Sequence, residues 1–425
     1  MKSKWIKRTA ICLAAALAFS GCGAKNVVSV EPEIAGEITT ITFFGNKYEP
    51  ENVRVIEEII SDFMVENPDI RVSYESLKGS DYYVALEKRL AAGKGDDVFM
   101  VNHDTLLTLE AGGRVAELTQ LALTAGYTEQ MLDQMTDGGK IFWLPTTVSA
   151  FGLYCNLDLL KAHGQQVPET LAEWKAVCDY FVAQGITPVV ANNDISLKTL
   201  AIGAGFCEAY QDGTAPQAFA RLNRGEEQLS AFLGAGFSLV KEFIDKGYVD
   251  AEKALNTKKT SSDLAEFVQG KAPFMLTGAW AAGRLKEMAP GFRFEVTPLP
   301  VLEEGALLVL NADTRLGLNA ASPNQEAALK FIEYFIRPEN IEKFADQQCS
   351  FSPLNEKSEP SLKELRPLLA CYEDGPTVIG TDGRLELQIW ELTAQATQKL
   401  LAGEPLQQVM QWMDQQAAAE SGGAE

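Results

Sequence analysis

Three short stretches carry side chains able to grip a polar ring: Gly45-Asn46-Lys47, Asn102-His103-Asp104 and Gly278-Ala279-Trp280. An indole suits the apolar face of a sugar ring, and Asp, Asn and Lys can pair with its hydroxyls. Each stretch falls where a strand is expected to end, and open α/β sheets bind ligands outside the carboxyl ends of their strands. Spacing alone leaves the plainer reading open, with each aromatic in the core and each charge on a solvated turn. Covalent chemistry has little to work with. His103 and His163 are the only histidines, which excludes a His-cluster metal site and leaves proton transfer to carboxylates. No G-x-S-x-G, H-E-x-x-H, Walker A, dinucleotide or EF-hand motif occurs, and Gly203-Ala204-Gly205 stops short of a nucleotide loop. Among 58 acidic residues a pair at glycosidase spacing arises by chance, so an extracytoplasmic carbohydrate-active enzyme stays as an alternative.

The elements that must position these stretches are legible from periodicity. Residues 38–44 alternate Ile and Thr before a double Phe and Gly45, which reads as a strand entering a tight loop. Val55, Ile56, Ile59, Ile60, Phe63 and Met64 recur at helical spacing, Ile70, Val72 and Tyr74 alternate, Ser80 is placed to cap a helix reaching Leu90, and 97–102 is an apolar strand. Strand and helix alternating in this way predict a parallel sheet covered on both faces. A second α/β unit follows Trp143-Leu144-Pro145. It holds a strand over 151–155, a Thr170/Glu173 capping box, a helix over 237–244, strands over 272–277 and 294–297, and a helix opened by Ser322-Pro323.

A length of 425 residues implies two or more packed units, and 46% hydrophobic with 22% charged residues excludes a disordered chain. The net charge of −21 sets nucleic acid and anionic lipid surfaces aside as partners. Lys2, Lys4, Lys7 and Arg8, then a short apolar run over 10–19, read as a secretory signal too short to span a bilayer. Ser20-Gly21-Cys22 resembles a bacterial lipobox, although Phe19 departs from the usual Leu. The resemblance implies cleavage before Cys22, diacylation of its thiol and anchoring at the membrane; a plain leader with an incidental Cys is the alternative. Residues 22–37 read as a flexible tether, and no second apolar run of membrane-spanning length follows. Cys155, Cys178, Cys207, Cys349 and Cys371 have no metal spacing and an odd count, so they read as structural thiols, with one disulfide as the alternative.

From about Ile38 to Asp414 the chain resembles the extracellular solute-binding proteins of bacterial ABC importers, in the sugar-binding branch of maltodextrin-binding type. The stretches that carry the likeness are Leu144-Pro145 through Phe151-Gly152-Leu153-Tyr154-Cys155-Asn156 with Asp158-Leu159-Leu160, Val167-Pro168-Glu169-Thr170 with Trp174, and Gly185-Ile186-Thr187-Pro188. Phe267 with Gly270-Lys271-Ala272, Gly278-Ala279-Trp280 and Leu318 through Asn324 extend it through the second half. The resemblance implies an α/β fold of two lobes, each a mostly parallel sheet flanked by helices, joined by hinge crossings near Thr147, Leu307 and Phe351. It divides the chain into a signal peptide at 1–21, a lipid-anchored tether at 22–37, lobe 1 at 38–146 and 307–350, lobe 2 at 147–306 and 351–418, and a disordered tail at 419–425.

By the same resemblance Asn46 and Lys47 match an Asp-Lys pair that contacts sugar, His103-Asp104 matches a His-Asp pair whose Asp binds hydroxyls, and Trp280 and Trp390 match two stacking tryptophans. Trp143, Ser149 and Asp313, with Asn311 beside it, complete the expected ligand-binding set. Val101 stands where the maltodextrin binder has a stacking Trp, Ser149 where it has a Glu, and Asn192-Asn193-Asp194 where it supplies Glu and Tyr, so a shorter or different saccharide is expected in place of a long glucan. The implied protein is a monomeric, extracytoplasmic, lipid-anchored receptor without enzymatic activity, metal or cofactor. It captures a mono- or oligosaccharide and delivers it to a transmembrane ABC permease. A binding protein for a polyamine or peptide is the other alternative.

Overall fold

The computed structural model describes residues 38–356 and 359–421. Strand β1 (Thr39–Gly45) buries Ile41 and Phe43 and leads through Asn46 into α1 (Pro50–Glu66). The Pro in the first turn of α1 lacks an N–H that would have gone unsatisfied there, and Val55, Ile56, Ile59, Ile60 and Phe63 form its buried stripe. Strand β2 (Ile70–Ser76) precedes α2 (Gly79–Ala91). Ser80 does not cap α2: Gly79, at φ +60°, turns the chain one residue earlier, and the cap position falls to Lys78. Strand β3 (Val98–Val101) then feeds α3 (His103–Ala111), whose Asn102 cap accepts a hydrogen bond from the Thr105 N–H at 2.9 Å. That cap fixes His103 and Asp104 in the first turn.

The second half begins with β4 (Leu144–Asn156), thirteen residues buried along their whole length. Helix α4 (Leu171–Ala183) opens on the expected Thr170 cap, with the Glu173 carboxylate accepting from the Glu169 N–H at 2.8 Å. Then come β5 (Val189–Val190), α5 (Ser196–Gln211), α6 (Leu229–Asp245), β6 (Phe274–Gly278), α7 (Ala281–Glu287) and β7 (Phe294–Thr297). The chain continues through β8 (Leu308–Leu318), α8 (Gln325–Phe335), β9 (Thr377–Ile379), α9 (Ile389–Leu401) and α10 (Leu406–Ser421). One core gathers Ile41, Phe43, Phe63, Phe331 and Phe335; another gathers Trp174, Phe206, Phe237, Phe274 and Val409.

The strands join in the order β2-β1-β3-β8-β4-β6-β5, with β9 on β8 and β7 on β4. Pairing is parallel in β1·β2, β1·β3, β5·β6 and β8·β9, but antiparallel wherever β4 or β8 meets β3, β6, β7 or the other. The sheet is thus mixed, parallel among β1–β3 and antiparallel at β4 and β8, for a topological reason. The chain leaves the first half of the fold through β4 and returns through β8, so these two strands must run in opposite directions.

Residues 308–310 of β8 pair with β9, whereas 315–318 pair with β3, so β8 changes partner between Leu310 and Arg315. Thr314 takes φ +46°, a conformation a β-branched residue rarely adopts, and the Thr146 hydroxyl donates to its carbonyl at 2.8 Å. Beside it, Val148 and Phe351 exchange two backbone hydrogen bonds at 2.8 and 2.9 Å. Three segments therefore run side by side at the crossing.

Helix α10 continues through Ser421, with Glu420 accepting from the Gln388 N–H at 2.8 Å, so a tail disordered from 419 is corrected; residues 422–425 lie outside the described residues. The signal-peptide, Cys22 and tether readings likewise fall outside them. The five cysteines from Cys155 onward are free thiols, with Cys155 and Cys178 buried.

Helices α5 and α6 approach closely because Gly236 has no side chain: a Cβ there would meet the Ala201 carbonyl oxygen at 1.9 Å. Backbone cannot rotate aside as a side chain can, so Gly236→Ala is expected to destabilise the protein by about 1–3 kcal/mol in urea unfolding. An unchanged midpoint would show that the two helices tolerate separation.

Candidate functional site

Phe151, buried on β4, is the base of an aromatic cluster. Trp280, between β6 and α7, stands edge-on to it at 5.2 Å between ring centroids, and Trp390, in the first turn of α9, is tilted against it at 5.3 Å. Both indoles are half-buried. Trp280 lies across Gly278, where a Cβ would meet the indole at 2.2 Å, so the glycine is what lets the ring lie down. The Lys198 ammonium sits 4.0 Å from the Trp390 ring centroid and covers one of its faces.

Asp104, from the β1–β3 half, reaches this cluster through Glu391, the residue after Trp390. The Asp104 carboxylate accepts from the Glu391 N–H at 3.1 Å through Oδ2, while its buried Oδ1 has no hydrogen-bond partner. Burial raises its pKa to about 6, against the opposing pull of the Glu391 N–H and the Lys198 charge. Asn46 donates to the Tyr83 hydroxyl at 3.0 Å and leaves its own Oδ1 buried and unpartnered. Burial lowers the Lys47 pKa despite the nearby charges of Asp313 and Glu49, and Lys47 forms no ion pair among the described residues. Glu49 and Arg284 pair at 2.6 Å, joining the segment after β1 to α7.

The crossing strands supply the rest. Ser149 on β4 donates to Asp313 Oδ2 on β8 at 2.8 Å, and Asp313 Oδ1 accepts from the Thr314 N–H at 2.7 Å. Asn311 Oδ1 accepts from the Thr381 N–H at 2.9 Å. Arg315, only 2% exposed, donates from Nε to the Ala312 carbonyl at 2.9 Å and from Nη2 to the Thr381 carbonyl at 3.1 Å. Its guanidinium lies 3.8 Å from the Trp143 ring centroid and 3.5 Å from His103 Nδ1. Burial and the Arg315 charge lower the His103 pKa to about 3, so the imidazole is neutral and Nδ1 accepts.

The expected residues thus divide. Ser149 and Asp313 pair on the crossing strands within electrostatic reach of Lys47, Asn46 is held by Tyr83, Asp104 meets the Trp390 segment, and Trp280 and Trp390 share Phe151, whereas Trp143 and His103 are buried and held against Arg315. Tyr83, Arg315 and Lys198 were not singled out from the sequence. Tyr83 senses the charges of Asp313, Asp104 and Arg315 and accepts from Asn46. Its signal was the pair Tyr82-Tyr83, since adjacent helical positions cannot both face the core, and Tyr82 is the fully buried one. Arg315 continues the period of Asn311 and Asp313, a polar alternation within an otherwise buried strand. The arrangement offers flat apolar faces beside unpartnered acceptors, which suits a ligand bearing hydroxyl donors on a ring.

A sheet divided between two α/β lobes, with polar and aromatic side chains meeting at the strands that cross between them, defines the two-lobed solute-binding class. The profile of the family described as bacterial extracellular solute-binding protein matches residues 47–342, and the chain belongs to that family. Among curated relatives, the multiple sugar-binding protein of Streptococcus mutans is 22% identical over 342 residues, covering 77% of this chain and 78% of that protein. The maltotriose-binding protein of Pyrococcus abyssi is 23% identical over 310 residues, covering 70% of this chain and 63% of that protein. Among solved structures, apo RafE from Streptococcus pneumoniae superposes with a TM-score of 0.70 at 20% identity, covering 91% of this chain and 99% of that one. A chitin oligosaccharide binding protein superposes with a TM-score of 0.73 at 20% identity, covering 90% of this chain and all of that one.

Proposed function

We propose that this protein captures a mono- or oligosaccharide in the cleft between its lobes and hands it to a transmembrane ABC permease without altering it. The observation that carries the reading is the Trp280–Phe151–Trp390 cluster with Asp104 beside it, whose Oδ2 accepts from the residue after Trp390 while its Oδ1 stays buried and unpartnered. Sugar rings present apolar faces and hydroxyl donors together. Relatives and neighbours named for sugars and oligosaccharides support the same ligand class. Asn46, Lys47, Asp104, Ser149, Trp280, Asp313 and Trp390 form the contact set in this reading, with Trp143 and His103 acting through Arg315. The lobes meet near Thr147, Thr314 and Phe351. A ligand that touches both lobes only when they close draws the equilibrium toward closure by its differential affinity. A monomer held at the outer face of the cell membrane by a diacylated Cys22 completes the proposal, and one relative is named a lipoprotein.

The test is a thermal-shift screen of the chain from Gly23 onward against saccharides, peptides and polyamines. A saturating ligand at a hundred times its Kd stabilises by about 2.7 kcal/mol, an easily read rise in Tm. A response to one sugar class, with that sugar recovered unshortened, supports the receptor. A response confined to polyamines or peptides overturns the substrate, and shortened products overturn the non-enzymatic reading. With the responding sugar, Trp280→Ala is expected to weaken binding about tenfold by calorimetry, because a stacking face is lost with the ring. Unchanged affinity would remove Trp280 from the contact set.

A further inference from the structure

Lys198 stands where a lysine is difficult to accommodate. It is the third residue of α5, where the helix dipole disfavours a cation, and its side chain is 1% exposed. Burial lowers its pKa to about 8, against the opposing charge of Asp194. A residue that breaks two local rules at once marks a position retained for something other than stability.

Its surroundings show what it holds. The ammonium donates to Asp194 Oδ1 at 2.6 Å and to the Trp390 carbonyl at 3.2 Å, and it lies 4.0 Å from the centroid of the same residue's indole. Lys259 reaches Asp194 from the other side. Backbone and ring of Trp390 are thus gripped by a single charge that Asp194 anchors.

We propose that Lys198 is a positioning residue for Trp390: its ammonium covers the rear face of the indole and presents the opposite face to the ligand. The proposal rests on the saccharide reading of the cleft. A free indole samples several χ1 and χ2 states, and a ligand that stacks on it must first order it. A desolvated cation against one face removes that requirement. Charge is the feature that matters, so Lys198→Met, which keeps much of the apolar stem, removes the grip, while Lys198→Arg retains a cation able to lie on an aromatic face.

The experiment reads Trp390 emission as the difference between each protein and its Trp390→Phe counterpart, together with affinity for raffinose and maltotriose. Lys198→Met is expected to shift the Trp390 spectrum to longer wavelength, increase its quenching by acrylamide, and weaken sugar binding about tenfold. Lys198→Arg is expected to restore both, and Lys198→Met is expected to have no further effect on affinity in the Trp390→Phe background. An equal loss in that background, or unchanged emission with unchanged affinity, overturns the proposal. If neither sugar binds the unsubstituted protein, the saccharide reading fails for these ligands and the emission comparison decides the role of Lys198 by itself. Should Lys198→Met not fold, Asp194→Asn, which frees the ammonium from its anchor, is expected to give the same direction of spectral shift; no shift there overturns the proposal.

Discussion

Arg315→Met is expected to destabilise the protein by about 3–5 kcal/mol, the range seen when a buried charge network loses one member. The guanidinium satisfies the Ala312 and Thr381 carbonyls and covers the face of Trp143, and no carboxylate reaches ion-pair distance among the described residues. Its counter-charge is distributed: burial lowers its pKa to about 10, while Asp313, Asp104, Glu110 and Asp382 act in the opposite direction. A methionine would fill part of the volume but leave two carbonyls without donors and those carboxylates without a central cation. Arg315→Lys keeps the charge and loses the planar fork, so it is expected to recover only part of the loss. Urea unfolding followed by far-UV circular dichroism gives both values. A methionine variant within about 1 kcal/mol of the unsubstituted protein would show that neighbouring groups repack or admit water without cost.

Arg315 also illustrates what the sequence made legible. The α/β class, the order of the elements around β1–β3 and the Thr170 cap followed from local periodicity and capping chemistry, which act over a few residues and so can be read there. The antiparallel course of β4 and β8 did not, because strand direction is decided by which half of the fold the chain must next enter. Within the site, Trp280 and Asp104 stood at strand ends where their chemistry was already suggestive. Tyr83 and Lys198 were hidden inside helical patterns, and only tertiary packing decides which side of a helix meets the crossing. Trp143 and His103 stood in the expected set, yet the structure holds both against Arg315. An aromatic or imidazole near a strand end looks the same in sequence whether it faces a ligand or a buried guanidinium.

Saccharide affinity is expected to fall about tenfold between pH 7 and pH 5, through Asp104. Without ligand, burial holds this carboxyl at about 6, because Oδ1 lacks a donor and the Glu391 N–H satisfies only Oδ2. A ligand hydroxyl donating to Oδ1 would favour the ionised form and return the pKa toward the ordinary carboxylate range, so binding releases a proton wherever the free protein is protonated. Affinity is therefore full above about pH 7 and declines as pH falls through 6. The ligand-free protein should show the opposite slope from this group. Its folded-state pKa is raised above the unfolded value near 3.9, so the stability associated with Asp104 is highest below that value and is lost as pH rises through about 6. Calorimetric titrations with the responding sugar across this range, in two buffers of different ionisation enthalpy, measure both the affinity and the proton released. Asp104→Asn is expected to bind more weakly at pH 7 and to show no proton release between pH 5 and 7. If that variant keeps the full pH dependence, the titrating group lies elsewhere, with Glu110, raised to about 7 by burial and the Asp137 charge, as the next to replace.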